Sequence, residues 1–420
     1  MKKLFALVDA NNFYVSCERL FNPAIQNKPV VVLSNNDGCV VARSNEAKAL
    51  GISMASPFFK NKLIIKQNKG FVFSSNYSFY GDMSSRVMNS LKVYFQNIEI
   101  YSIDEAFVSL DKLIHKDPLN YCLEARFKIL QWTGIPTSFG IAPTKTLAKI
   151  ANRIAKKDDS NDVFDLQSPQ EQTNAMKDLP VEKLWGISTN LGNKLRNIGI
   201  RTALELRNTE PEKMRKFFGV VVERMVYELR GIACLDLENA EPKKRILSSK
   251  SFGKPLTQLE PIEEALTHYT IRACEKLRAQ KSQVQGVYVF LKTNCFRVGQ
   301  PQYTNVLATS LESPTAYTPV VIKTAKSLLR KLYRSGYLYH KCGIMLLDLI
   351  PEHYQQKRLW LKEDPKKSAQ LMETFDIINQ TMGKGTLFYG TKNNQAQWKT
   401  RCQKRSPRYT TNWKELVTVR

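Results

Sequence analysis

The chain has 420 residues with 43% hydrophobic and 10% aromatic content, enough for two to four globular domains. No apolar run reaches the ~18 residues of a membrane span. Asp9 and the Asn11-Asn12 pair cut the N-terminal apolar run too short for a secretory leader, and eight scattered cysteines without a C-x-x-C pair fit neither a zinc site nor a disulfide framework, a pattern that suits a reducing cytoplasm. The net charge of +25 implies a polyanionic partner, and it is unevenly placed: +6 over 1–165, zero over 166–241, +11 over 242–350 and +8 over 351–420.

Residues 4–8 predict a strand ending at Asp9. The motif DANNFYVSCERLFNP follows, with Phe13, Val15 or Cys17, and Leu20–Phe21 at roughly helical spacing. Residues 29–33 (PVVVL) read as a buried strand, Asn35-Asn36-Asp37-Gly38 as a turn and 39–42 as a strand. Ser44 caps a short helix that Gly51 ends, and 71–74 form another strand. Tyr80, Met83, Val87, Leu91 and Tyr94 make 77–95 an amphipathic helix.

The run 98–110, IEIYSIDEAFVSL, is an apolar, β-branched strand region broken by Asp104 and Glu105. Two readings stand for that pair. One is the polar tip of a hairpin; the other is a pair of carboxylates that meet a divalent cation such as Mg²⁺, since buried carboxylates need a positive partner. After Pro118 a helix carries Cys122, Ala125, Ile129 and Leu130 inward. A strand at 137–142 and a helix opened by Thr144 (TKTLAKIANRIAKK) follow. The order up to 165, with an insertion near 25–75, fits a ferredoxin-like sheet covered by helices.

Residues 166–241 read as short helices. Within them LWGISTNLGNKLRNIGI places Gly186-Ile187 and Gly199-Ile200 around a helix, as in a helix-hairpin-helix whose backbone N–H groups meet a phosphate; an ordinary αα-hairpin is the alternative. Residues 242–253 (PKKRILSSKSFG) read as a basic linker. Beyond it, helices at 262–280 and 320–333 and strands at 284–292, 304–308 and 341–349 make a second α+β domain. Lys323, Lys326, Arg330, Lys331 and Arg334 fall along its second helix; a solvated basic face is the ordinary reading of such a run, and the domain's charge of +11 favours contact with DNA backbone. The tail from Pro351 shows no periodic core. It contains Gln356-Lys357-Arg358-Leu359-Trp360, a glutamine followed by an apolar-aromatic pair suited to a shallow pocket on a partner.

Asp9…Phe13-Tyr14 together with Ser102-Ile103-Asp104-Glu105-Ala106-Phe107 resembles the Y-family translesion DNA polymerases. LSNNDGCVVARSNEAKALGI and the ending GKGTLFYG…QAQW…SPRYTTNW resemble the UmuC type, the catalytic subunits of bacterial DNA polymerase V. The resemblance runs through essentially the whole chain in order. It implies an α+β right-hand polymerase with a ferredoxin-like palm (1–24 and 76–165), small fingers (25–75), a helical helix-hairpin-helix thumb (166–241), an α+β little finger (242–350) and a C-terminal partner-binding tail (351–420).

It further implies an error-prone, template-directed DNA-directed DNA polymerase acting opposite damaged DNA in repair and SOS mutagenesis. Two Mg²⁺ ions would be held by Asp9, Asp104, Glu105 and the Ala10 carbonyl. Lys48, Lys145 and Arg43 would meet the incoming nucleotide, although Asn45 stands where many relatives have Tyr. Phe13 and Tyr14 match the backbone-contact and ribose-excluding positions. Gly186, Ile187, Gly199 and the basic helix would hold DNA, with Ser188 departing from the commoner Gly-Ile-Gly pattern. Gln356, Leu359 and Trp360 would bind a sliding clamp. The implied partners are primer-template DNA, dNTP, a UmuD′ dimer and the RecA filament, and the implied location is the bacterial cytoplasm at the nucleoid.

Two other classes compete. A two-metal nuclease uses similar carboxylates but needs no triphosphate site, so Lys48, Lys145 and Tyr14 argue against it. A non-catalytic DNA-binding scaffold has no need of an intact Asp9, Asp104 and Glu105.

Overall fold

The computed structural model describes residues 3–111, 117–157, 162–238, 241–297, 299–354, 365–383, 385–390 and 398–417. The chain divides into two compact units, one of residues 1–34, 38–240 and 404–420 and one of residues 35–37 and 241–403.

The first unit is organised on strand β1 (Phe5–Ala10), every residue of which is buried. Its side chains alternate between two cores: Ala6, Val8 and Ala10 enter one and Leu7 the other. Period-two alternation into apolar surroundings on both sides marks a central strand covered on both faces. Helix α1 (Phe13–Phe21) leads to an insertion: β2 (Val30–Leu33), β3 (Val40–Arg43), α2 (Asn45–Ala49), α3 (Phe58–Gln67) and β4 (Phe71–Ser74). Its strands form a separate sheet in the order β3-β2-β4. As expected, Ser44 caps α2, its side chain accepting from the Ala47 N–H. Helix α3 escaped the sequence reading because it is only weakly amphipathic: Asn61 and Ile65 are buried, whereas Phe59 and Leu63 face out.

The chain then returns to the main sheet through α4 (Tyr77–Tyr94), β5 (Ile98–Ile100), β6 (Glu105–Ser109), α5 (Pro118–Thr133), β7 (Thr137–Ala142), α6 (Lys145–Ala155) and β8 (Val163–Asp165). The sheet order is β5-β6-β1-β7-β8. Helices α4 and α5 supply Tyr80, Met83, Val87, Cys122, Ala125 and Ile129 to one face; Leu130, expected inside, lies at the surface. Helix α6 covers the other face with Leu147, Ala148 and Ala151. Helices α7 (Pro169–Lys177), α8 (Thr189–Asn197), α9 (Ala203–Arg207), α10 (Pro211–Phe218) and α11 (Val220–Leu229) extend that same core.

In the second unit, β9 (Ile246–Leu256), α12 (Leu259–Ala279), β10 (Ser282–Thr293), β11 (Thr304–Thr315), α13 (Thr318–Leu332) and β12 (Tyr339–Pro351) precede α14 (Pro365–Thr381). The sheet runs β11-β10-β12-β9 with α12 and α13 sharing its core. The segment read as a linker is therefore mostly strand β9. It is an edge strand: only Ile246, Phe252 and Leu256 are buried, and its polar remainder hid the pattern. The tail also has anchors. Arg278 forks onto Asp376 of α14 at 2.6 and 2.7 Å, and Trp398 is buried against Tyr269 and His268. Gln356, Leu359 and Trp360 lie outside the described residues. Among the described residues no helix is long and apolar enough to cross a membrane.

One close approach fixes where α6 lies. A Cβ on Gly140 of β7 would come within 2.1 Å of the Asn152 N and 2.4 Å of the Ala148 O. Gly140→Ala should therefore push α6 off the sheet and lower stability by about 3 kcal/mol or more, read as a fall in the thermal midpoint; an unchanged midpoint would show that the contact tolerates a methyl group.

Candidate active site

Strand register builds the centre of the site. β1 and β6 pair antiparallel with Asp9 opposite Glu105. Residue 9 shares a face with Leu7 and residue 105 with Phe107, both in the core beneath α6, so the two carboxylates emerge on the α6 side. Cβ atoms of directly opposed residues lie about 5 Å apart, where like charges repel. Helix α6 answers with Lys149, 3.2 and 3.1 Å from the Glu105 oxygens. Just beyond its end, Lys156 lies 2.5 Å from Asp9 Oδ1.

Asp104 occupies the hairpin tip between β5 and β6. Ser102 shapes that tip: its Oγ accepts from the N–H groups of Asp104 and Glu105 at 3.3 and 3.0 Å and donates to Asp104 Oδ1 at 2.5 Å. The Ala10 N–H donates to the Asp104 carbonyl at 2.8 Å, docking the tip against the end of β1. An aromatic enclosure steadies Lys149, whose Nζ lies 4.5 Å from the ring centre of Tyr101, 5.3 Å from Trp185 and 5.8 Å from Phe107.

Burial pushes the Asp9 carboxyl up to about 7, against the pull of Lys156, and the negative charges of Glu105 and Asp104 push the same way. A carboxyl that resists ionisation although an ammonium touches it is short of positive charge. With two further carboxylates beside it, the hard-oxygen donor set fits a divalent cation such as Mg²⁺. Among the described residues no three acidic, thiol or imidazole side chains yet close around such a position; the lysine ammoniums supply the counter-charge instead.

A cationic cluster faces these acids. Lys48 on α2 donates to Asn12 Oδ1 at 2.7 Å and to Asn45 Oδ1 at 3.0 Å, and Asn12 Nδ2 donates to Asn45 Oδ1 at 3.0 Å. Asn45 thus orients Lys48. Burial lowers the Lys48 pKa, and the charges of Lys156 and Arg43 lower it further, so three cations crowd together. Arg43 also donates to the Ile52 carbonyl.

Lys145 does not join them. It is buried, paired with Glu99, and its Nζ sits 5.1 Å from the Phe107 ring centre. The expectation that it faces a triphosphate from the start of α6 is corrected: the position that reaches the acids is Lys156. Lys145, Lys149 and Lys156 share one helix face at intervals of four and seven, and that spacing was the available signal.

Phe13 is buried, with its ring in the core. The Tyr14 ring is half-buried and stacks on Tyr80, with centres 4.3 Å apart and planes 16° from parallel. Burial, with neighbouring Tyr77 and Asp104, raises its hydroxyl pKa to about 12. Behind Tyr80 lies Glu18, a buried carboxyl accepting from the Tyr80 hydroxyl at 2.6 Å and from Ser406 Oγ at 2.8 Å. Neither Glu18 nor Ser406 stood out in the sequence.

Of the expected DNA contacts, Gly186 and Gly199 flank α8 with φ of 86° and 89°, conformations that suit glycine. Ile187 is buried, and Ser188 caps α8 by accepting from the Leu191 N–H; that cap accounts for the serine. On α13, Lys323, Arg330 and Lys331 are exposed and Lys326 half-buried. Arg330 is paired with Glu263 at 2.6 Å, and Arg334 lies beyond the helix end, over the Tyr303 ring.

Comparison with known proteins identifies the family. The model of the impB/mucB/samB family matches residues 8–153, and that of its C-terminal domain matches 243–359. Protein UmuC of Salmonella typhimurium is 42% identical, over 99% of this chain and 100% of that protein. The chain belongs to this family of Y-family DNA polymerases. Protein ImpB of Salmonella typhimurium is 39% identical over 99% of this chain and 100% of its own. A solved chimera of the Y-family DNA polymerases Dbh and Dpo4 shares the fold, with a TM-score of 0.68 at 21% identity over 83% of this chain and 99% of that one. A domain of unknown function, DUF4113, matches residues 369–419. The polymerase is thus a DNA-directed enzyme of the error-prone, translesion class, in a family that uses divalent metals.

Glu18 gives the polymerase a pH-dependent stability. Burial pushes its carboxyl up to about 7 although Tyr80 and Ser406 hydrogen-bond to it. Between about pH 4.5 and 7 the folded chain keeps a proton that the unfolded chain has lost, so this residue's contribution falls as pH rises through that window, by roughly 3 kcal/mol. Relative to wild type, Glu18→Gln should gain stability between pH 5 and 8 in denaturant titrations. A pH-independent difference would place the Glu18 titration elsewhere.

Proposed function

We propose that the chain adds deoxynucleotides to a primer 3′-hydroxyl opposite damaged template bases, using two Mg²⁺ ions held by Asp9, Asp104, Glu105 and the Ala10 carbonyl. One observation carries this reading: three carboxylates at the meeting of β1 and β6 face a cluster of Lys48, Arg43 and Lys156. Carboxylates suit metal ions and the cations suit a triphosphate, and a nucleotidyl transferase needs both together. Such ions, when bound, lower the barrier by stabilising charge on the attacking and leaving oxygens.

The chain's own groups do the rest. Lys48 and Lys156 neutralise phosphate charge, and Asn12 and Asn45 fix the Lys48 ammonium. The Tyr14 ring limits space at the sugar, so a 2′-hydroxyl is excluded by shape. Lys149 and Ser102 hold Glu105 and Asp104 in place before the reaction.

The remaining assignments follow the same reading. Residues 1–24 and 76–165 act as palm, 25–75 as fingers, 166–241 as thumb, 242–350 as little finger and 351–420 as partner-binding tail. Gly186, Ile187 and Gly199 present backbone to a phosphate, while Lys323, Lys326, Lys331 and Arg334 hold DNA backbone. Arg330, already paired with Glu263, contributes less. UmuD′, RecA and a sliding clamp, the last through Gln356, Leu359 and Trp360, are the partners in the SOS response, within a bacterial cytoplasm at the nucleoid.

Primer extension tests the reading. Asp104→Ala should bind primer-template normally and lose extension by on the order of 10³-fold, and the unsubstituted chain should not shorten the primer when dNTPs are omitted. Extension at the wild-type rate would remove Asp104 from the site, and shortening would favour a nuclease.

A further inference from the structure

The C-terminal segment folds back onto the first unit beside the nucleotide site. Ser74, at the end of β4, and Lys404 exchange hydrogen bonds: the Ser74 N–H donates to the Lys404 carbonyl at 3.0 Å, and the Lys404 N–H donates to Ser74 Oγ at 2.9 Å. Asn76 Nδ2 donates to the Ser406 carbonyl and hydroxyl and to the Pro407 carbonyl, at 3.0, 3.1 and 3.1 Å. Tyr409 stacks on Phe21, with ring centres 4.7 Å apart and planes 5° from parallel, and meets Phe79 edge-on. Ser406 is buried, so these are the contacts of an inner layer rather than of a loose end.

From this layer a chain of contacts runs to the ring that would face the sugar. Ser406 Oγ donates to the Glu18 carboxyl, the Tyr80 hydroxyl donates to the same oxygen, and Tyr80 stacks flat on Tyr14. Each link is short, and Glu18 and Tyr80 are fully enclosed. Buried, fully partnered polar groups fix side chains more tightly than apolar packing alone. We propose that residues 404–409 are a working part of the nucleotide site: Ser406, Glu18 and Tyr80 are positioning residues that hold the Tyr14 ring where it excludes a ribose. The inference rests on the reading of Tyr14 as the ribose-excluding side chain. It gives part of the segment matched by the domain of unknown function a task in substrate choice, distinct from recruiting partners.

The test is single-nucleotide insertion by the full-length chain, comparing kcat/KM for a dNTP with that for the matching ribonucleotide. Tyr14→Ala is the control and should lower this ratio by on the order of 10²-fold, the discrimination a shaped pocket gives against one added hydroxyl. Ser406→Ala removes one hydrogen bond and should lower the ratio by about 3- to 10-fold, and Ser406→Thr should restore it. In the Tyr14→Ala background, Ser406→Ala should change nothing further.

If Tyr14→Ala relaxes the ratio and Ser406→Ala does not, the positioning role is wrong and the Tyr14 reading stands. If Ser406→Ala has the same effect with and without Tyr14, the segment acts by another route and the inference fails. If Tyr14→Ala leaves the ratio unchanged, both fall. Tyr80→Phe keeps the stacked ring and removes only its bond to Glu18. It should reproduce the Ser406→Ala effect, and a wild-type ratio in that variant counts against the proposal.

Discussion

The structure depends on one electrostatic constraint: Asp9 and Glu105 stand directly opposite each other across an antiparallel pair, with Asp104 beside them. Like charges at that separation destabilise a sheet, and burial raises the cost for Asp9. Much of the first unit can be read as a response. Gly140 lets α6 lie against β7, and α6 brings Lys149 to Glu105 and Lys156 to Asp9. Ser102 ties down the hairpin tip, and Tyr101, Phe107 and Trp185 enclose the Lys149 ammonium. A carboxyl group kept near neutral by its surroundings marks a place where positive charge is wanted, as functional sites often are.

The opposite charge is gathered with similar economy. Lys48, Arg43 and Lys156 come from α2, β3 and the end of α6, and burial together with the charges of Lys156 and Arg43 lowers the Lys48 pKa. The inserted sheet and the main sheet thus contribute complementary halves of one site. Lys156 belongs to both halves: it pairs with Asp9, and its charge helps to lower the Lys48 pKa.

Local signals made much of this legible in the sequence. The β1 strand ending at Asp9, the hairpin carrying Asp104 and Glu105, the Ser44 cap and the helix at 77–94 all follow from periodicity or capping within a few residues. What failed was long-range. Lys145 and Lys156 lie on the same helix face, and only the tertiary partner decides which meets Glu99 and which meets Asp9. Strand β9 reads as a polar linker because an edge strand needs few inward apolar residues. Ser406 is linked to Glu18 across nearly the whole chain, and no local pattern in the tail announces it.

The most direct test concerns Lys156. Mn²⁺ titration of the full-length protein without nucleotide, followed by the loss of free-ion electron paramagnetic resonance signal, compares wild type with Lys156→Met. If Lys156 supplies the charge that a divalent ion would otherwise bring to Asp9, the variant binds Mn²⁺ several-fold more tightly while its KM for dNTP rises. Unchanged or weaker metal binding, with an unaltered KM, would contradict the account.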